Sequence, residues 1–274
     1  MVQRCKEGID PGPGRTGGKG RRRGRRRGVA GSGRDVAVPP LEAAVPRGHA
    51  APVTATAPLP PSPRRVGLLL FDEVEVLDAC GPFEVFSVAN RVAARTGRPA
   101  PFEVVLVAAG EGAATSGVRA RGGLRLGADV GVAQAPPCEV VLVPGGVVDA
   151  VAADPAVREW LRRSRDGAEV VASVCTGAFV LAAAGLLDER EVTTHWEDLA
   201  DLRGRWPHLR VVEGVRFVDH GDLATSAGIS AALDLALHLV ARLAGEELAV
   251  ATARQMDYAW RRGPAAGAPA GAPA

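Results

Sequence analysis

EVVASVCTGAFVLAAAGLLDE, residues Glu169 to Glu189, contains an uncharged run of eighteen residues from Val170 to Leu187. A run of that length is compatible with a membrane-spanning helix. Its first part is β-branched, whereas the part after Cys175 is rich in alanine and leucine and ends at a glycine before a charge cluster. Because the intrinsic propensity changes at Cys175, we predict a buried strand that turns there into a buried helix, and no membrane span.

Short runs rich in valine and leucine alternate with longer amphipathic runs on both sides of this junction. The predicted strands are Val66–Phe71, Phe102–Ala109, Glu139–Gly146, Glu169–Val174, Glu191–His195 and Asp222–Ser226. The predicted helices are Pro82–Arg95, Asp154–Arg165, Thr176–Leu186, Ile229–Leu243 and Glu246–Trp260. This alternation is typical of the α/β class, and it predicts one doubly wound, mainly parallel sheet sandwiched by helices.

Both ends of the chain differ in composition from its middle. Residues 1–65 carry fourteen Lys and Arg against four Asp and Glu, so the formal net charge of +2 combines a basic end with an acidic remainder. Segments rich in Gly, Pro, Ala and Arg without an apolar period bury too little surface to become ordered. We therefore predict a disordered tail at residues 1–63, a domain at 64–262 and a second disordered tail at 263–274.

The sequence RRRGRRRG, Arg21 to Gly28, is the one candidate for a nucleic-acid contact. Clustered arginines bind phosphate groups in proportion to their charge. However, no aromatic residues interleave with these arginines, and no known nucleic-acid-binding module follows them. We favour a solvated tail, or a misplaced start codon, over nucleic-acid binding.

The four cysteines, Cys5, Cys80, Cys138 and Cys175, form no CxxC pair and have no regular spacing. Zinc sites and disulfide frameworks both need such patterns. The sequence therefore predicts reduced thiols in a cytoplasmic protein, without a metal ion.

Cys175 falls where a parallel sheet collects its ligands, at the carboxyl end of a strand and the amino end of a helix. The helix dipole and unpaired N–H groups there lower the pKa of a thiol. The sharp turn needs small neighbours, and Ser173 and Gly177 supply them, although a nucleophile elbow usually has glycine at the first of these places. Alone, Cys175 is equally compatible with a small buried hydrophobic residue.

Two further segments end at the same predicted edge of the sheet. LVPGG, Leu142 to Gly146, places the N–H groups of Gly145 and Gly146 where they could form an oxyanion hole. FDEVEVLDACGPFEVF, Phe71 to Phe86, brings a group of acidic residues, one of which could contact the thiol. Together the segments favour a chemical role for Cys175.

These segments, with VTTHW at 192–196 and ATSAGISAALDLALHLV at 224–240, resemble the ThiJ/PfpI superfamily of class I glutamine amidotransferase-like folds. The branch that they resemble contains isonitrile hydratases and the sensor domains of AraC-type regulators. The resemblance covers Val66 to Trp260. LDACGPFEVF, LVPGG and SVCTGAFVLAAAGLL are specific as a set, although each alone is weak. The resemblance implies a flavodoxin-like fold and a homodimer.

The resemblance also implies roles for individual residues. Cys175 matches the nucleophile, and Asp78 matches the acid that hydrogen-bonds the thiol. Thr176 matches the hydratase residue after the nucleophile, with its N–H in the oxyanion hole beside that of Gly146. His195 matches a histidine often found near the pocket, but a cap for the helix that starts near Trp196 explains it equally well.

Two departures from the superfamily narrow the activity. Its proteases have histidine directly after the nucleophile, where this chain has Thr176, and its glutamine amidotransferases have a late His-x-Glu that this sequence lacks. We therefore expect neither activity. The resemblance favours a cysteine-dependent hydratase that needs no cofactor and adds water to a small electrophile, as in the conversion of an isonitrile to an N-substituted formamide.

A domain that senses a small molecule, like those of AraC-type regulators, is the alternative. Such regulators carry two helix-turn-helix units, roughly a hundred residues, after the sensor fold. Only a short tail follows Trp260 in this sequence. On this ground we expect an enzyme rather than a sensor.

Overall fold

The computed structural model describes residues 62–110, 112–187 and 189–262. Its strands are β1 (Arg64–Leu70), β2 (Phe102–Ala108), β3 (Val118–Arg119), β4 (Arg125–Leu126), β5 (Val130–Gly131), β6 (Val140–Val143), β7 (Val170–Val174), β8 (Glu191–Val192), β9 (Arg210–Val211), β10 (Phe217–Asp219) and β11 (Leu223–Ser226). Its helices are α1 (Val76–Arg95), α2 (Ala113–Ser116), α3 (Asp149–Ala153), α4 (Pro155–Gly167), α5 (Gly177–Ala183), α6 (Leu199–Arg205), α7 (Ala231–Ala244) and α8 (Glu246–Gln255). The predicted tails, 1–63 and 263–274, lie outside the described residues apart from residues 62 and 63.

Seven strands form the main sheet in the order β10-β11-β7-β6-β1-β2-β5. The β1, β2, β5, β6, β7 and β11 pairings are parallel, and only the edge strand β10 is antiparallel to its neighbour. This confirms the predicted doubly wound, mainly parallel sheet with helices packed against it. Strands β6 and β7 lie in the middle and are buried along their whole length. Such burial is why their sequences are continuous apolar runs.

The junction at Cys175 is built as the sequence predicts. Strand β7 ends at Val174, and helix α5 begins at Gly177. In the first turn of α5, a Cβ at Gly177 would lie 2.1 Å from the carbonyl oxygen of Val143 on β6. Only glycine therefore allows the helix to start so close to the neighbouring strand. Among the described residues, every helix is too short or too polar to span a bilayer.

Several predicted boundaries are wrong for identifiable reasons. Helix α1 begins at Val76, six residues before Pro82, because proline stands inside the helix and does not start it. The predicted strand Glu191–His195 is reduced to Glu191–Val192, which pairs with β9 in a separate two-stranded sheet. The last predicted helix ends at Gln255, not Trp260.

Candidate active site

Cys175 occupies a strained turn at the carboxyl end of β7. Its φ angle is 53°, in the left-handed region that non-glycine residues rarely adopt. Two hydrogen bonds to the Cys175 backbone hold this conformation. Cys175 N donates to Ser226 O at 3.1 Å, and Cys175 O accepts from the Thr194 hydroxyl, Oγ1, at 2.8 Å. Strain that neighbouring structure maintains in this way is concentrated at functional sites.

Two more residues with positive φ lie around the same turn. Glu73 has φ 66°, and its carbonyl oxygen would lie 2.2 Å from a Cβ at Gly146. Ile229 has φ 31°, an outlier for a β-branched residue, and its backbone N–H lowers the pKa of the Cys175 thiol. Three of the four non-glycine residues with positive φ in the described chain therefore surround this site.

Asp78, in the first turn of α1, places a fully buried carboxyl group beside the thiol. Its Oδ2 accepts the N–H of Gly145 at 3.0 Å. Its Oδ1 is buried and has no hydrogen-bond partner among the described residues. Burial raises the pKa of Asp78 to about 7, with a further increase from Glu75, while Gly145 N–H and the Cys175 thiol act in the lowering direction. Both protonation states of this carboxyl group are therefore accessible near neutral pH.

The pKa of the Cys175 thiol is raised to about 12, because the side chain is buried and faces the charge of Asp78. The N–H groups of Thr176 and Ile229 point at the sulfur and lower the pKa, but by less. The expectation of a lowered thiol pKa was wrong for this resting state. Burial comes from the tertiary packing of the turn, and it outweighs the helix terminus.

The predicted oxyanion hole differs from the arrangement in the structure. The N–H of Gly145 is bonded to Asp78, and the N–H of Gly146 donates to Thr176 Oγ1 at 2.9 Å. The same hydroxyl donates to Gly146 O at 2.9 Å, so Thr176 closes the glycine turn with its side chain. Both glycine N–H groups are therefore engaged within the protein in this structure, and the Thr176 N–H lowers the pKa of the Cys175 thiol, so the oxyanion hole stays a prediction.

Gly145 is the steric centre of the site. A Cβ at this position would lie 2.7 Å from Thr176 N and 2.8 Å from both Asp78 Oδ2 and Cys175 Cβ. Contacts this short force a shift of backbone or of the carboxyl group. The absence of a side chain at Gly145 is thus what lets the acid, the thiol and the following amide approach one another.

His195 acts as a cap in the structure. Its Nδ1 accepts from Glu197 N at 3.4 Å at the start of the 3₁₀ turn Trp196–Asp198, and lies 3.4 Å from Asp198 Oδ2. Its ring packs on Gly228, where a Cβ would lie 2.0 Å from His195 Cδ2. Since Gly228 precedes Ile229, the histidine supports the turn that contacts Cys175. Its role in a pocket stays a prediction.

Sequence reasoning missed Ile229 and Asp198, and it interpreted Glu75 only as a solvated loop charge or a helix cap. Ile229 contributes a backbone N–H, which no side-chain pattern can reveal. Asp198 and Glu75 act through charge, since Asp198 raises the pKa of Cys175 and Glu75 raises that of Asp78. Glu75 is in turn 3.5 Å from Arg121.

In the described part of the chain, no group of three or more His, Cys, Asp or Glu side chains is arranged to hold a metal ion.

The sheet order and the strained thiol at a central strand end define a flavodoxin-like α/β protein with a cysteine elbow. A sequence profile of the DJ-1/PfpI family matches residues 64–242. The chain belongs to the DJ-1/PfpI family.

Curated relatives include an enzyme and regulators. The isonitrile hydratase of Pseudomonas putida is 34% identical over 198 residues, which are 71% of this chain and 78% of the hydratase. The HTH-type transcriptional regulator GbdR of Pseudomonas aeruginosa is 31% identical over 211 residues, which are 75% of this chain and 55% of the regulator. The match therefore spans about half the length of that regulator.

Solved structures show the same fold. A ThiJ/PfpI family protein from Pseudomonas syringae aligns with a TM-score of 0.62 at 24% identity, covering 76% of this chain and 80% of that one. DJ-1beta of Drosophila melanogaster aligns with a TM-score of 0.63 at 22% identity, covering 73% of this chain and all of that one.

Proposed function

We propose that this protein is a cysteine-dependent hydratase that adds water to a small electrophilic carbon, such as that of an isonitrile. One observation carries the proposal: a strained, buried thiol faces a buried carboxyl group whose pKa is raised to about 7. A group that titrates near the working pH is suited to move protons in both directions. The similarity to isonitrile hydratase supports the choice of substrate class.

The first step activates the thiol. Asp78 in its ionised form takes the proton of Cys175, whose thiol acts on the pKa of the carboxyl group as a hydrogen-bond donor. The N–H groups of Thr176 and Ile229 stabilise the sulfur as it becomes negative. Because the pair shares one proton, its two titrations are coupled and belong to the pair rather than to either residue.

The second step forms the covalent intermediate. The thiolate attacks the terminal carbon of the isonitrile, and Asp78 gives its proton to the same carbon. The product is a thioimidate in which the former terminal carbon carries one hydrogen, the Cys175 sulfur and a double bond to nitrogen. Asp78 is ionised again at the end of this step.

The third step hydrolyses the thioimidate. Water adds to the carbon while Asp78 takes one of its protons and passes that proton to the nitrogen, so the adduct carries a hydroxyl group and Asp78 is ionised again. The carbon–sulfur bond then breaks as the hydroxyl group becomes the carbonyl of an N-substituted formamide, and the hydroxyl proton passes to the Cys175 sulfur. One water molecule is consumed, and no electrons are exchanged.

Thr176 has a structural part in this scheme. Its hydroxyl ties the glycine turn to the start of α5 through both the N–H and the carbonyl of Gly146. If the oxyanion hole of the superfamily operates here, the hydroxyl must release Gly146 N–H when substrate binds. The hole then consists of the N–H groups of Gly146 and Thr176.

A turnover screen tests the proposal. The purified intact chain is incubated with isonitriles, 2-oxoaldehydes and amides, and product formation is followed by mass spectrometry. We expect formamide from at least one isonitrile. Consumption of 2-oxoaldehydes alone would move the activity to another substrate class, and no turnover of any of the three would leave a binding function.

A small-molecule sensor is the second candidate, and the match to the regulator GbdR favours it. Ligand binding without turnover distinguishes the two. A compound that raises the melting temperature of the intact protein, and equally that of Cys175→Ala, without being consumed would support a sensor.

We also propose a homodimer in the cytoplasm that uses no cofactor. Exposed apolar side chains on α1 and next to β4, Leu77, Phe83 and Leu124, are suited to contact a second copy. The three described cysteines are free thiols, which fits a reducing compartment. Light scattering at micromolar concentration tests the dimer, and a monomer would contradict it.

A further inference from the structure

The turn that presents Ile229 to the thiol is held from one side by Arg216. The turn, residues 227–230, connects β11 to α7. Arg216 O accepts the N–H of Ala227 at 2.9 Å, and Arg216 Nη2 donates to Ser230 Oγ at 3.4 Å. Arg216 is therefore hydrogen-bonded to the first and the last residue of the turn, and Ile229 lies between them.

Arg216 is in turn fixed by Asp234, which is fully buried on α7. Arg216 Nε donates to Asp234 Oδ2 at 2.7 Å, and Nη2 lies 2.5 Å from the same oxygen. A buried carboxylate needs a cation and full hydrogen bonding, so this contact fixes the guanidinium firmly.

The other oxygen of Asp234 is occupied by the end of the described chain. Oδ1 accepts from Tyr258 OH at 3.1 Å and from Arg261 N at 3.0 Å, and Trp260 Nε1 donates to Asp234 O at 3.3 Å. Segment 258–261 thus sets the orientation in which Oδ2 faces Arg216. The network reaches Cys175 through the start of the turn, because Cys175 N donates to Ser226 O at 3.1 Å and Ser226 directly precedes Ala227.

We propose that Asp234 is a positioning residue for Cys175: it holds Arg216, and Arg216 fixes the turn that directly follows Ser226, whose carbonyl oxygen accepts the N–H of Cys175. The inference rests on Cys175 being the reactive thiol of the proposed function. It does not require turnover, because the alkylation rate of the thiol reports on how the turn is held against Cys175. A failure of this inference and a failure of the hydratase proposal are therefore separate results.

The test uses the intact protein and limiting iodoacetamide at pH 8, with labelled peptides quantified by mass spectrometry. Cys138 is an internal reference, because its buried thiol lies beside Gly67, on β1, and reports general opening of the fold. The quantity measured is the ratio of the Cys175 and Cys138 labelling rates. Ser230→Ala removes one grip on the turn at an exposed side chain, and Ser230→Thr keeps the hydroxyl.

We expect Ser230→Ala and Asp234→Asn to lower the ratio at least about threefold, equivalent to half a unit in the thiol pKa, and Ser230→Thr to restore it. Asp219→Asn is the matched control, because it removes a carboxylate from His238 and Arg242, further along α7. It should leave the ratio unchanged. An unchanged or higher ratio in Asp234→Asn or in Ser230→Ala, or an equal loss in Ser230→Thr or Asp219→Asn, would overturn the inference.

Discussion

The Asp78 carboxylate raises the pKa of the Cys175 thiol, and the thiol lowers the pKa of Asp78 by acting as its hydrogen-bond donor. Gly145 makes this contact possible, since it leaves free the space between the two side chains. The two groups thus form one proton-sharing unit inside the core of the domain, and the following predictions test it from different sides.

Asp78→Asn should keep the shape of the site, because an amide oxygen can still accept the N–H of Gly145. It removes the group that takes and returns the proton. General acid–base catalysis contributes roughly a hundredfold or more, so we expect kcat to fall by that factor. A loss of less than tenfold in steady-state assays would show that another group carries the proton.

The same variant should change the pH dependence of stability. The pKa of Asp78 is near 3.8 in the unfolded chain and about 7 in the fold, so the folded state favours the protonated acid. Its stabilising contribution is complete below pH 4 and is lost as the pH rises through 7. We expect the melting temperature of Asp78→Asn, relative to the native protein, to increase between pH 5 and pH 8. A constant difference in melting temperature over this range would show that the pKa of Asp78 in the folded protein is not raised.

Gly145→Ala should damage the site by steric overlap alone, because Gly145 has no positive φ. The added Cβ would push Asp78 and Thr176 apart, at a cost of about 1–3 kcal/mol of stability, and turnover should fall more than tenfold. Gly204→Ala is the control, since no atom lies within 4 Å of a Cβ at that position in α6. It should be neutral or slightly stabilising, as alanine in a helix usually is. Comparable losses in the two variants would argue against a special role for Gly145.

A shortened chain of residues 64–262 should retain the full thermal transition and any activity. Both of its ends are fastened to the fold, because Arg64 Nη1 donates to Leu243 O at 2.9 Å and Arg262 lies 3.1 Å from Glu246. Calorimetry of the shortened and intact chains tests this. Loss of cooperative unfolding in the shortened chain would place the domain boundary elsewhere.

If the arginines at 21–27 bind nucleic acid, the intact chain alone should show salt-sensitive DNA binding, and we expect none of biological strength.

Much of this architecture can be predicted from the sequence. The change from β-branched to alanine-rich residues at Cys175 identifies the central junction, and the Pro-Gly-Gly turn identifies the neighbouring strand end. Both are local signals, set by intrinsic propensity and by the need for glycine in tight turns. The two-residue strands β3, β4, β5 and β9 are too short for a period to appear, so they could not be predicted.

The electrostatics of the site could not be predicted in the same way. The thiol pKa depends on how completely α1 and the 227–230 turn cover Cys175, which is a property of packing between distant segments. The N–H groups near the sulfur also depend on contacts between distant segments, because Ile229 lies more than fifty residues from Cys175 in the sequence. The sequence predicted only that Asp78 lies beside the thiol, through the resemblance that the motif LDACGP carries.

The most direct test of the central claim, that Cys175 is the nucleophile, compares Cys175→Ala with Cys138→Ala on an isonitrile that the intact protein converts. Cys138 is buried like Cys175 but lies beside Gly67, on β1, without Asp78 as a neighbour. We predict that Cys175→Ala abolishes formamide production while keeping its thermal transition, and that Cys138→Ala keeps both. Turnover in Cys175→Ala at the native rate would contradict the account.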